Sequence, residues 1–138
     1  MNLMSLITDN IAEILIKIVK FTQTRQKILI QNIINVHDPG FVPQELEVDD
    51  FSIVINNAVD EHIRNQRLVL HDTENIKFGH SGRIEVKPVV DEHGKKLLEE
   101  NKDEYIERQI SKLWENSLNQ KVAAELLRQK QGTTPIDY

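Results

Sequence analysis

Residues 8–35, TDNIAEILIKIVKFTQTRQKILIQNIIN, constrain the fold more than any other part of this chain. At 100° per residue, Ile11, Ile14, Leu15, Ile18 and Phe21 form one stripe of a helix, and Ile16 and Val19 widen it. Only Glu13, Lys17 and Lys20 are left for the polar side. Past the more polar TQTR, the stripe continues through Ile28, Leu29, Ile33 and Val36. An apolar arc wider than half the circumference is too wide for one partner helix, so a spare face is expected to bury against other subunits. At 1.5 Å rise the helix would be about 42 Å long. Thr8 or Asp9 is placed to cap its start by accepting from free first-turn amides.

Residues 103–131 read as a second long helix. Ile106, Leu113 and Leu127 share a heptad phase, interleaved with Ile110, Ser117 and Ala124, and Gln120 also falls in this narrow seam. Asp103 and Glu104 suit the positive end of the helix, Arg128 and Lys130 the negative end, and Gly132 the stop. Two helices of similar length at the two ends of the chain pair most simply antiparallel. The expected class is mainly α, with long N- and C-terminal helices in a coiled-coil-like antiparallel pair.

Between them, VDDFSIVINNAVDEHIRNQ reads as a shorter helix capped by Asp49 or Asp50, with Phe51, Val54, Ile55, Ala58 and Ile63 on one broad face. The segment IKFGHSGRIEVKPVVDEHGKKLL reads as extended chain: Gly79 and Gly82 bracket a turn, RIEVKPVV alternates, and DEHG turns again. A small β-hairpin is expected there, with Pro88 tolerated only at an edge. One structural domain results: residues 1–40 as N-terminal helix and turn, 41–102 as the middle segment, and 103–138 as C-terminal helix with a loose tail.

Charge is uneven along these parts. Residues 1–35 carry four bases and two acids, residues 36–104 eight bases and sixteen acids, and residues 105–138 five bases and four acids. An acidic middle repels phosphate backbones, and neither end has a basic cluster dense enough for nucleic acid, so no nucleic-acid partner is expected. The acidic middle is placed as an outer or lateral surface. The run IAEILIKIV is broken by Glu13 and Lys17 and has no small-residue cleavage site after it, so neither a cleaved signal nor a lipid anchor is expected.

Cysteine is absent, which removes disulfides and thiolate metal sites. His62, His71, His80 and His93 lack the close spacing of a preorganised metal site and read as solvated surface side chains. The adjacent acids Asp49–Asp50 and Glu99–Glu100 do not face a common cleft and read as helix-start and surface charge. No catalytic, cofactor or metal site is expected.

The first helix stops at NIINVHDPGFVP, residues 32–43. Pro39 and Gly40 are the second and third residues of a type II turn, and Pro39 pushes Asp38 out of the helical region. Asn35 is placed as a left-handed cap, and Phe41 should fold back against the helix. Asn32 lies near the apolar stripe, where its amide must find a hydrogen bond in the turn or on a neighbouring helix.

This corner resembles the flagellar basal-body rod proteins, whose N-terminal helix ends in Asn-Ile-Ala-Asn, x, x, Thr-Pro-Gly-Tyr. Asn32, Ile33, Asn35, Pro39 and Gly40 match it; Ile34 stands for the usual Ala, Asp38 for Thr and Phe41 for Tyr. KLWENSLNQKVAAELLRQK is similar to the family's C-terminal KLAENSL helix at Lys112, Leu113, Glu115, Asn116, Ser117 and Leu118. The family's Gly-Asn-Asn-Val lead into that helix is replaced by NKDEYIER. Length and the C-terminal helix place the likeness with the proximal-rod members. The resemblance implies a structural, non-enzymatic subunit of the rod that assembles through its terminal helices and transmits torque. It further implies passage through the flagellar type III export apparatus, without a cleaved signal, to the periplasmic rod. The implied partners are copies of itself, other rod proteins and the rod-to-membrane-ring junction protein. The alternative reading is an amphipathic adaptor that binds a partner helix or a membrane through residues 7–21, although Lys17 and Lys20 are few for attraction to anionic lipid.

Overall fold

The computed structural model describes residues 3–80 and 82–132. Helix α1 spans Leu3–Ile34 and runs into a 3₁₀ turn at Asn35–His37. Strand β1 (Gln44–Glu45) leads to α2 (Val48–Asn65), followed by β2 (Ile76–Phe78), β3 (Ile84–Val86) and β4 (Val89–Val90). Helices α3 (Glu92–Glu100) and α4 (Lys102–Lys130) complete the order. The architecture is mainly α, with α1 and α4 packed against each other along their length, as the two long apolar patterns predicted.

The middle of the chain packs onto α1. Its core is built from Ile14 and Phe21 of α1, Leu46, Phe51, Ile55 and Ala58 of the α2 region, and Ile76 of β2. The rings of Phe21 and Phe51 stack with centroids 3.8 Å apart, and Phe78 joins at 6.4 Å from Phe51. Each such side chain removed from water contributes about 2 kcal/mol. The wide apolar arc of α1 is thus covered within the chain, by α4, by α2 and by the β-hairpin. Three partners satisfy what one could not, so the arc does not by itself require another subunit.

The β2–β3 hairpin is antiparallel, pairing Ile76 with Val86 and Phe78 with Ile84 around the turn bracketed by Gly79 and Gly82. A second, two-residue antiparallel pair joins β1 to β4, Gln44 opposite Val90. Pro88 sits between β3 and β4, where no ladder donor is needed.

Several local expectations are corrected. Helix α1 begins at Leu3, so Thr8 and Asp9 lie inside it rather than capping it. Helix α2 begins at Val48 after Glu47, which makes no side-chain cap; Asp49 and Asp50 occupy the first turn, where their charge favours the helix dipole. The DEHG segment is not a turn: the Asp91 carboxylate accepts from the Gly94 amide at 2.9 Å and starts α3. Asn35 has no positive φ, because a 3₁₀ turn tightens the end of α1 instead. The tail at 133–138 lies outside the described residues.

Lys17, assigned to the polar side of α1, is fully buried. Its ammonium donates to the carbonyls of Gly79 at 2.8 Å and Arg83 at 2.7 Å, and pairs with Glu13 at 3.0 Å. Glu13 in turn accepts from the Gly82 amide at 2.9 Å. A buried charge is tolerable only when its donors are satisfied, and here the hairpin turn supplies the acceptors. Gly82 has φ +80, and a Cβ there would stand 2.9 Å from Ile16 Cγ2, so the turn approaches α1 as only glycine allows.

Candidate assembly surface

The corner after α1 is organised around Asn32, which is 2% exposed. Its side-chain amide donates to the Gln44 carbonyl at 2.8 Å and accepts from the Gln44 amide at 3.1 Å, as a neighbouring strand would. The same Nδ2 donates to Gln109 Oε1 of α4 at 3.0 Å, and the Tyr105 hydroxyl donates to the Asn32 carbonyl at 2.8 Å. One asparagine therefore joins α1, β1 and α4, in the role its position near the stripe required. The turn that follows is type II: Phe41 N–H reaches the Asp38 carbonyl at 3.2 Å, Asp38 is extended, and Gly40 has φ +76. Pro39 and Gly40 are exposed, and Ile33, Asn35 and Phe41 are half-buried. Asn35 only reaches Gln31, at 3.0 Å on the surface.

Among the residues proposed for the assembly helices, Ile14, Leu15, Phe21 and Leu29 are buried, while Ile11 and Ile18 are half-buried. On α4 the expected seam is corrected. Tyr105, Gln109, Asn116 and Ala123 are the buried residues, not the phase of Ile106, Leu113 and Leu127, all three of which are half-buried. Asn116 donates to the Thr22 carbonyl at 2.7 Å, so the helix is turned by its hydrogen bonds. Such a seam is polar, and it selects one register at a cost in stability. Gln109 Nε2 is buried without a partner among the described residues.

An ion network locks the same face. Arg25 grips Glu45 with two bonds of 3.0 Å, and Lys112 reaches Glu45 at 3.4 Å and Asp91 at 3.3 Å. The residues resembling the rod-protein KLAENSL motif therefore divide: Lys112 and Asn116 point inward to fixed partners, whereas Glu115, Ser117 and Leu118 are exposed. Burial, with the charge of Asp91 adding to it, pushes the Tyr105 phenol up to about 12.

Turning polar groups inward turns apolar ones outward. Ile110, Trp114, Leu118, Val122 and Leu126 are 41, 75, 62, 51 and 45% exposed, a continuous ridge at spacing four. Its lower half borders an open groove of about 500 Å³, floored by Leu15, Phe21, Phe51 and Ile55. Ile110 and Leu118, both among the residues expected on the assembly helix, lie on this ridge; Trp114, Val122 and Leu126 extend it outside the heptad phase of Ile106, Leu113 and Leu127. His62, read as a surface side chain, is also buried, on the inner face of α2.

Among the described residues no group of acids and histidines could hold a metal ion, and no helix is long and apolar enough to cross a membrane. Compared with known proteins, the chain matches no family model, no curated protein and no solved structure. The likeness to the rod proteins rests on the residues quoted for it.

Proposed function

We propose that this chain is a structural subunit of the bacterial flagellar basal-body rod, most like the proximal-rod members. It would assemble in the periplasm through its terminal helices after export without a cleaved signal, and carry torque rather than perform chemistry. The observation that supports this best is the outward apolar ridge of α4. Keeping Trp114, Leu118 and Val122 in water forgoes about 1.5–3 kcal/mol for each side chain that could be fully buried, which a neighbouring subunit would recover. A lone, largely exposed tryptophan on a rigid helix has the character of an interface anchor. The corner motif contributes by holding α1 and α4 in one register, so that the ridge is presented in a fixed orientation.

The adaptor reading has less support. The face of residues 7–21 that it would use includes Ile14, Leu15 and Phe21, which are already buried within the chain. Purified basal bodies, cross-linked and imaged with a tagged copy of this chain, test the proposal. The tag should map to the rod; basal bodies that lack the chain would refute it.

A further inference from the structure

Three exposed cations gather where α1 meets the hairpin. Lys20 and Lys27, seven residues apart on one side of α1, are exposed, and Arg83 of the hairpin stands with them. With Gln23 and Thr24 they line an open cleft of about 530 Å³ whose one carboxylate is Glu85. None of these three cations has a carboxylate within 4 Å among the described residues. Asp49 and Asp50, in the first turn of α2, are likewise exposed and have no base within that distance. One turn on, Ile53 is 59% exposed, and the half-buried Ile84 lines the cleft.

We infer that the α1–hairpin cleft of one copy receives the first turn of α2 of a second copy. Asp49 and Asp50 would lie between Lys20, Lys27 and Arg83, with Ile53 against Ile84. Charge complementarity favours this occupant: in a chain of net charge −5, three cations around one cleft and two adjacent carboxylates at one helix start have no partner of opposite charge within 4 Å among the described residues. The two patches lie on different elements, so one copy can offer its cleft to a second copy and its α2 start to a third; such a head-to-tail contact, repeated, builds a ring or an open row. This inference deepens the rod-subunit reading and rests on it for its biological setting.

Sedimentation of the full chain tests it. Self-association should be present at low salt and weaken about tenfold or more between about 50 and 500 mM NaCl. The double variant Lys20→Glu/Lys27→Glu and the double variant Asp49→Lys/Asp50→Lys should each remain monomeric with unchanged circular dichroism. An equimolar mixture of the two should associate again, since each then offers the charge the other needs. Association of either variant like the wild type, or no recovery in the mixture, overturns the contact. Binding of the wild type to phosphatidylglycerol vesicles without self-association would assign the cleft to a lipid headgroup and also overturn it. Charge-reversed chains that fail to pair yet enter the rod would sink this contact and leave the rod reading standing. Recovered pairing in a chain that never enters the rod would do the reverse.

Discussion

The side chain of Asn32 pairs with the backbone of Gln44 in both directions, donating at 2.8 Å and accepting at 3.1 Å. A helix end is thereby tied to the edge of a strand twelve residues later. Because Tyr105 and Gln109 meet the same residue, the corner also sets where α4 lies along α1.

Replacing Asn32 by Ala strands three groups on two elements, the Gln44 amide and carbonyl of β1 and Gln109 Oε1 of α4, and should cost about 3 kcal/mol. Asn32→Asp, which keeps an acceptor but loses both donations, should cost at least as much. Urea midpoints at pH 7 measure both; a loss below about 0.5 kcal/mol would show the corner to be held elsewhere.

Lys17 holds the hairpin turn to α1 through two carbonyls and Glu13. Lys17→Met leaves the Glu13 carboxylate without its cation and should destabilise by about 3 kcal/mol. Hydrogen exchange should locate the damage: the Gly79 and Gly82 amides should lose protection more than amides in the middle of α4.

Gly40 and Gly82 both have positive φ but differ in surroundings. Nothing lies within 4 Å of a Cβ at Gly40, whereas Ile16 is 2.9 Å from one at Gly82. Gly40→Ala should therefore cost only backbone strain, about 1 kcal/mol, and Gly82→Ala clearly more. Gly40→Val should stay soluble and folded but enter assemblies less well. Equal thermal midpoints for the two alanine variants would contradict this account.

Trp114 is the single tryptophan of the chain and is 75% exposed. Its fluorescence should be that of hydrated indole in the dilute chain and shift to shorter wavelength on assembly. Trp114→Ala should change the stability of the isolated chain by less than about 0.5 kcal/mol while reducing incorporation. A large loss of stability would place Trp114 in the fold rather than in an interface.

Tyr105 keeps its proton to about pH 12 in the folded chain, against an ordinary value of 10.0. Between those values the unfolded chain has lost a proton that the folded chain retains. The resulting stabilisation is complete below pH 10 and disappears as pH rises towards 12. Wild-type stability should thus fall more steeply across this window than that of Tyr105→Phe, as denaturant titrations at each pH would report.

How much of this was legible depends on the range of the interaction involved. The two long helices, the type II turn at Pro39–Gly40 and the hairpin around Gly79–Gly82 follow from periodicity and turn chemistry, which act over a few residues. The need of Asn32 for a partner was also legible, since a polar group beside an apolar stripe must be satisfied. Its partner was not, because Gln109 is 77 residues away. Apolar residues are spread around much of α4, so no pattern along the chain could say which face turns inward. That was decided by Tyr105, Gln109 and Asn116 reaching α1, the last across 94 residues to Thr22.

Lys17 shows the same division. By itself the sequence determined only that Glu13, Lys17 and Lys20 are the charged side chains of α1 between Ile11 and Phe21, and its periodicity set Lys17 on the polar side. Only the tertiary structure decided that it is buried, because the carbonyls that satisfy it belong to a turn more than sixty residues away. Local periodicity specifies elements; their rotation and burial are settled where long-range hydrogen bonds offset the cost of removing polar groups from water.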